Sequence, residues 1–180
     1  MAIKFEELKD GEIILFLTSA KKYLSTNLEL LEYYINKQKS YCVYVTVNRP
    51  YTALMKIFQD NAINTNKIFV IDAITPVSSG KVRANNAVFV GSPQELTNIS
   101  ISATSAINSM PKGNRLLFFD TLSTLSVYND EGSVTKFIHF IINKMREWYI
   151  SGAIISMEKE TDDKMLTQLS QFCDKVIEVK

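Results

Sequence analysis

The sequence predicts an α/β fold, a three-layer sandwich with a mostly parallel central sheet between layers of helices. Short apolar runs, such as Ile13–Leu17 and Leu116–Phe119, contain no alternating polar residues, which is typical of parallel strands covered on both faces. Segments with apolar residues at three- and four-residue spacing separate these runs along the whole chain, as in a helix-covered sheet. No repeat or long linker divides the 180 residues, so we expect a single domain over residues 1–180.

The strands are predicted from continuous apolar or β-branched runs. In chain order they are Ile13–Leu17, Tyr41–Val47, Ile68–Ile71, Ala87–Val90, Leu116–Phe119, Ala153–Ser156 and Lys175–Val179. The third and fourth strands are separated by Ala73–Asn86, which contains Pro76 and Gly80 and lacks any apolar period. We therefore predict an irregular loop there.

The helices are predicted from their apolar stripes and their start signals. They are Lys22–Lys37, Pro50–Asn61, Pro93–Ser109, Ser133–Tyr149 and Asp162–Phe172. Proline suits the first turn because its φ is already helical. In the third helix, Ser92 as N-cap and Glu95 three residues later predict a capping box.

The chain is poor in glycine, and this excludes two nucleotide-binding motifs. It has six glycines in 180 residues and none between Gly11 and Gly80, whereas average proteins contain about 7% glycine. Loops that hold phosphates on backbone N–H groups need several glycines. Neither G-x-G-x-x-G nor G-x-x-x-x-G-K-[ST] occurs in the sequence.

The charge balance points away from nucleic acid and membranes as partners. Twenty basic and nineteen acidic residues leave a net charge of +1, which gives no bias toward polyanions. No run approaches the roughly 18 apolar residues of a membrane span. The amino terminus does not resemble a signal peptide, and Cys42 and Cys173 form no disulfide or metal pattern. We therefore expect a cytoplasmic protein.

Polar side chains follow several predicted strands, where open parallel sheets bind their ligands. They are Lys21 and Lys22 after the first strand, Asn48 and Arg49 after the second, Asp72 after the third and Asp120 after the fifth. This mixture suits a small anionic ligand but contains no evident catalytic set. Asp120 has two interpretations, since a carboxylate at a strand end also caps neighbouring loops or helices.

The segment around Asp120 carries a family resemblance. Arg115-Leu-Leu-Phe-Phe-Asp120-Thr-Leu-Ser-Thr-Leu125 resembles the Walker B strand and following segment of the RecA superfamily, most closely its KaiC-like branch of archaeal and cyanobacterial P-loop ATPases. Tyr44–Leu54, Phe137–Trp148 and Ala153–Glu158 are similar to further strands and helices of that family. The resemblance implies a RecA/KaiC-like fold with Asp120 at the metal-binding position.

The phosphate-binding loop departs from the family pattern. When Thr26 is aligned with the family's magnesium-binding hydroxyl, Ser19 and Leu24 replace the two loop glycines and Ser25 replaces the lysine. A bulky Leu24 obstructs close approach of a phosphate, and Ser25 removes the charge that meets the β- and γ-phosphates. A side chain of Tyr23 or Leu24 in the phosphate position would establish the obstruction by geometry.

The water-activating carboxylates are missing as well. Asn48 and Arg49 stand where the family has paired glutamates. One carboxylate without lysine, glycines or base is not a phosphoryl-transfer site. The sequence therefore predicts a degenerate P-loop and a domain without ATPase activity, catalytic residues or a bound metal.

Two functional hypotheses remain open. The first is a non-catalytic RecA/KaiC-like domain with no cofactor, which acts as an interaction, scaffold or signalling component. Its partner would be another protein, a second copy or an active KaiC-like homologue, because relatives assemble side by side. The alternative is a sensor that binds ATP or ADP weakly with Mg²⁺, through Thr26, Asp120 and either Lys21 or Lys22, although both lysines also fit solvated positions at a helix start. Under the first hypothesis, the face that contacts a protein partner would use amphipathic aromatic rings. The candidates are Tyr33, Tyr34, Tyr51, Tyr128 and Tyr149.

Overall fold

Seven parallel strands form one sheet in the computed structural model, which describes residues 3–76, 84–158 and 161–179. They are β1 (Ile13–Thr18), β2 (Tyr41–Thr46), β3 (Ile68–Asp72), β4 (Ala87–Phe89), β5 (Arg115–Asp120), β6 (Ser151–Met157) and β7 (Lys175–Val179). Their order across the sheet is β4-β3-β2-β5-β6-β1-β7. Every predicted strand is confirmed, with ends that shift by at most two residues.

Six α-helices cover the two faces of the sheet in the described part of the chain. They are α1 (Tyr23–Leu31), α2 (Tyr51–Asp60), α3 (Leu96–Ser109), α4 (Leu122–Tyr128), α5 (Glu131–Glu147) and α6 (Asp163–Phe172). Helices α1 and α2 share one apolar core with the sheet, and α3 to α6 share the other. The predicted three-layer α/β sandwich is therefore confirmed.

Strand β5 is buried on both faces, as its unbroken apolar sequence predicts. Phe118 packs in the core under α1 and α2, while Leu117 and Phe119 pack in the core on the other side. Because side chains alternate along a strand, Asp120 points to the same face as Phe118. This alternation decides which helices can reach the carboxylate.

The predicted capping box at the start of α3 is wrong. Helix α3 begins at Leu96, and Glu95 is its N-cap without a side-chain cap. Ser92 instead closes a turn before the helix, where its Oγ accepts a hydrogen bond from the Gln94 N–H at 3.2 Å. Serine forms such local turns readily, and here the turn competes with the helical start.

Helix α4 was not anticipated, and the helix predicted from Ser133 begins earlier. The Thr121 side chain caps α4 by accepting a bond from the Ser123 N–H at 3.2 Å. Asp130 caps α5 by accepting one from the Ser133 N–H at 2.9 Å. The predicted helix over Lys22–Lys37 is observed as α1 followed by a π-helical turn at Glu32–Lys37.

The connection from β3 to β4 is the predicted loop Ala73–Asn86, of which residues 77–83 lie outside the described part. Asp72 holds its beginning: Oδ1 accepts bonds from the N–H groups of Ile74 and Thr75, both at 2.8 Å. Its Oδ2 accepts a bond from the Tyr51 N–H at 2.7 Å. Asp72 thus ties the loop to the start of α2.

Among the described helices, none is both long and apolar enough to cross a bilayer.

Candidate functional site

The candidate site centres on Asp120, which ends β5 near the middle of the sheet. Asp120 is fully buried and pairs in register with Thr46 of the neighbouring strand β2. Its side chain faces the layer formed by α1 and α2. A fully buried carboxylate needs hydrogen-bond donors, because burying an unpaired charge is very costly.

Two tyrosines supply those donors. The Tyr23 hydroxyl, from the first residue of α1, donates to Asp120 Oδ1. The Tyr44 hydroxyl, from β2, donates to Oδ2 at 2.5 Å. Asn48 donates in turn from Nδ2 to the Tyr23 hydroxyl oxygen at 3.2 Å. Both carboxylate oxygens are therefore engaged by phenols.

Burial dominates the electrostatics of this group. It raises the pKa of the Asp120 carboxyl above its ordinary value, although hydrogen bonds from Tyr23, Tyr44 and the Asn27 amide, and then the Arg49 charge, act in the opposite direction. Burial, followed by the Asp120 charge, raises the pKa of Tyr44 well above its ordinary value and also raises that of Tyr23. The phenols consequently remain protonated donors at neutral pH.

Thr26 lies on the same helix as Tyr23 but has a different partner. Its side chain is buried, and its Oγ1 is 3.2 Å from the Thr18 Oγ1 at the end of β1. The described hydrogen bonds include none between Thr26 and Asp120. The structure thus places both residues at the carboxyl edge of the sheet without joining them.

Lys21 and Lys22 lie just before α1 and are exposed. Within the described residues, neither ammonium group forms a hydrogen bond or an ion pair. Their exposure agrees with solvated positions at a helix start. Their use in phosphate binding stays a prediction.

Sequence reasoning missed both tyrosine partners of Asp120. Tyr44 lies in a predicted strand of apolar and β-branched residues, where an aromatic ring is expected to pack in the core. The available signal was its hydroxyl, because a buried tyrosine usually requires a hydrogen-bond partner. The sequence alone did not reveal which acceptor on which strand would meet it.

A second polar cluster lies beyond β5 and β6. Thr161 Oγ1 is 2.9 Å from Ser123 Oγ and 2.8 Å from Ser156 Oγ. Ser123 Oγ also accepts a bond from the Met157 N–H at 2.7 Å. The three hydroxyl groups bond to one another and to backbone, so this cluster ties α4 to β6.

The predicted aromatic contact face is only partly exposed. Tyr149 and Tyr128 are 90% and 45% exposed, but Tyr34 is 1% exposed and belongs to the core. The prediction for Tyr34 is therefore wrong, because Tyr34 is on the buried side of the π-helical turn and its ring packs in the core that also contains residues of α1. Tyr33 and Tyr51 are half-buried.

The outer surface of α3 and α5 exposes apolar residues instead. Helix α3 contains no charged residue between Leu96 and Ser109. Ile101 on α3 is 61% exposed and Phe140 on α5 is 45% exposed, and both line one shallow depression. We call the surface formed by Ser100, Ile101, Thr104, Ser105 and Phe140 the α3–α5 face. Depletion of charge is typical of the central part of protein interfaces.

Comparison with known proteins identifies a family and a shared fold. The model of a family of unknown function (DUF7504) matches residues 35–179. Among curated proteins, none matches this chain.

Solved structures from Pyrococcus horikoshii OT3 are similar to this chain in fold. The KaiC-like protein PH0186 has a TM-score of 0.65 and 10% identity, over 96% of this chain and 74% of its own. PH0250 has a TM-score of 0.65 and 14% identity, over 98% and 85%. The uncharacterised P. horikoshii protein PH0321, solved in complex with an unknown peptide, has a TM-score of 0.74 and 9% identity, over 98% and 80%. These similarities confirm the predicted KaiC-like fold.

Proposed function

This chain belongs to the DUF7504 family, and we propose that it is a non-catalytic KaiC-like domain that acts by binding another protein. The observation that carries the proposal is the pair of phenols on Asp120. A carboxylate at this strand end would bind Mg²⁺ in an active relative, but here both of its oxygens accept hydrogen bonds from tyrosines.

The side chains around Asp120 do not fit a magnesium–nucleotide group. Tyr23 is 6% exposed and its ring fills the space between the start of α1 and the carboxylate. The lysine of the phosphate-binding loop is replaced by Ser25 and its glycines by Ser19 and Leu24. Lys21 and Lys22 extend into solvent. These features support loss of the ATPase reaction.

The α3–α5 face supports a role in protein contact. On this face the exposed Ile101 of the uncharged helix α3 adjoins the exposed Phe140 ring of α5, and low charge with an aromatic ring is typical of the central part of a protein interface. PH0321, which has the same fold, was solved with a bound peptide. We extend peptide or protein binding to this chain as part of the proposal.

The nucleotide part of the proposal is tested by thermal unfolding with and without millimolar Mg-ATP and Mg-ADP. A nucleotide at about 100 times its Kd would add roughly 2.7 kcal/mol to stability and raise Tm. Because we propose that this chain does not bind nucleotide, we expect no shift in Tm and no phosphate release. A saturable shift without phosphate release would instead favour the nucleotide sensor. Sustained phosphate release would overturn the proposal.

The binding part is tested with two variants that each add one negative charge to α3. Ile101→Asp alters the α3–α5 face, whereas Asn108→Asp changes an exposed residue of α3 outside it. Light scattering and affinity capture with the wild-type chain should detect self-association or a reproducible partner. We expect Ile101→Asp to weaken this association at least tenfold and Asn108→Asp to preserve it. A strictly monomeric chain that captures no partner would count against the proposal.

A further inference from the structure

A cavity of about 620 Å³ lies at the opposite edge of the sheet from Asp120. It opens between α3 and the amino-terminal ends of β2, β3 and β4. Lys67, Phe69, Val88, Ile101, Ser102 and Met110 are among the residues that line it. This volume falls within the range of about 300–1,000 Å³ that is usual for small-molecule sites.

Most of the cavity wall is apolar. Phe69 and Val88 belong to the sheet, and their half-buried side chains pack against the core under α3. Ile101 and Met110 close the opposite side. Because Phe69, Val88 and Ile101 retain exposed apolar surface, an apolar ligand would gain by removing that surface from water.

Within the described residues, the wall carries one charge, and it is positive. Lys67 is the charged residue among the described lining residues, none of which has a carboxylate. Its ammonium donates to the Lys39 carbonyl oxygen at 2.5 Å and lies 4.7 Å from the centre of the Tyr41 ring. An ammonium group has three donors, so two remain for a ligand after this contact has positioned the group.

Uncharged polar groups of the wall are also available. The side chains of Asn66 and Ser102 line the cavity, and within the described residues neither the Asn66 side-chain amide nor the Ser102 hydroxyl forms a hydrogen bond. Polar groups of this kind usually orient a ligand whose apolar part provides most of the contact. Together with Lys67 they favour an anion over a neutral or cationic molecule.

We propose that this cavity binds an amphipathic organic carboxylate, whose carboxylate pairs with Lys67 and whose apolar body contacts Phe69, Val88 and Ile101. This pairing sets the sign of the ligand's charge, since the lining residues in the described part of the chain supply a cation and no anion. The site shares no residue with the Asp120 cluster, but it shares Ile101 and Ser105 with the α3–α5 face. Variants at Lys67 and Ser102, which lie outside that face, therefore test the cavity separately from protein binding.

Titration calorimetry with octanoate, octanamide and octylamine tests the sign of this complementarity. We expect octanoate to bind saturably and at least tenfold more tightly than octanamide, and octylamine to bind least. Lys67→Met should reduce octanoate binding to the level of octanamide. Lys56→Met removes an exposed lysine of α2 away from the cavity and should leave octanoate binding unchanged.

A second pair of variants tests the location. Ser102→Trp fills the cavity and should abolish octanoate binding, whereas Asn108→Trp adds the same ring to an exposed position of α3 outside it and should preserve binding. Thermal unfolding of each variant establishes that it is folded. Equal binding of octanoate and octanamide, binding retained by Ser102→Trp, or no saturable octanoate binding at millimolar concentration would overturn the proposal.

Discussion

Tyr44 and Tyr34 show that a buried tyrosine hydroxyl can either stabilise or destabilise the same core. Each residue is 1% exposed. The Tyr44 hydroxyl donates to Asp120, whereas the buried Tyr34 hydroxyl has no partner within the described residues. A buried polar group stabilises a fold when it is paired and costs free energy when it is not.

Replacing each tyrosine by phenylalanine should separate these two cases. Tyr44→Phe removes a donor from a buried carboxylate and should lower the free energy of unfolding by about 1–3 kcal/mol. Tyr34→Phe is the matched control and should leave stability unchanged or raise it, because it removes an unpaired group. Urea unfolding at neutral pH measures both, and equal losses in the two variants would contradict this account.

The raised pKa of Asp120 predicts a pH dependence of stability. In the unfolded chain an aspartate carboxyl has a pKa of about 3.9. At pH values between this pKa and the raised pKa of the folded state, Asp120 is protonated in the folded protein more often than in the unfolded chain. Stability relative to Asp120→Asn should therefore rise as pH falls from neutral through the raised pKa, and become constant below the unfolded value.

This comparison requires urea unfolding of the wild type and Asp120→Asn at several pH values between about 7 and about 4. The other titrating groups are shared, so the difference between the two proteins isolates Asp120. If the wild type instead lost stability relative to Asp120→Asn on acidification, the pKa of the Asp120 carboxyl would be lowered in the folded state. Burial would then not be the dominant influence on this group.

At the scale of elements, β6 and α5 pack closely because one strand position has no side chain. A Cβ at Gly152 would lie 2.7 Å from Met145 Sδ of α5 and 3.0 Å from Ile13 Cγ2 of β1. Met145 and Ile13 are fully buried. The apolar stripe of α5 was predicted from the sequence, but this close approach depends on the packing of β6 against α5 and β1.

Gly152→Ala should consequently destabilise the protein by roughly 1–3 kcal/mol, the usual cost of overpacking a core. Gly132→Ala is a matched control in the exposed first turn of α5, where the nearest atom to a new Cβ is Asp130 Oδ1 at 3.3 Å. There the exposed Asp130 side chain can move aside and alanine has the better helix propensity, so stability should change by less than about 1 kcal/mol. Thermal unfolding measures the stability of both variants against the wild type. A Gly152→Ala protein as stable as the wild type would show that β6 and α5 pack less tightly than in this structure.

At the scale of the whole molecule, strand order brings the site together. The chain passes from β1 to β2 across the positions later filled by β5 and β6. Helix α1 therefore lies over the sheet where Tyr23 can reach Asp120 of β5. The same order leaves β4 at an edge, where the sheet and α3 enclose the carboxylate-binding cavity that we propose.

The sequence by itself determined the strands, most of the helices, the parallel sheet, the KaiC-like resemblance and the position of Asp120 at a polar edge. These features depend on apolar periodicity and turn residues, which act over a few neighbouring positions. The tertiary structure decided that Tyr23 and Tyr44 bind Asp120, that Tyr34 is buried, and that a cavity lies beside Lys67. Tyr23 and Tyr44 are 97 and 76 positions from Asp120 along the chain. Buried hydrogen bonds over such separations depend on strand order and on the face each residue occupies, which no local pattern encodes.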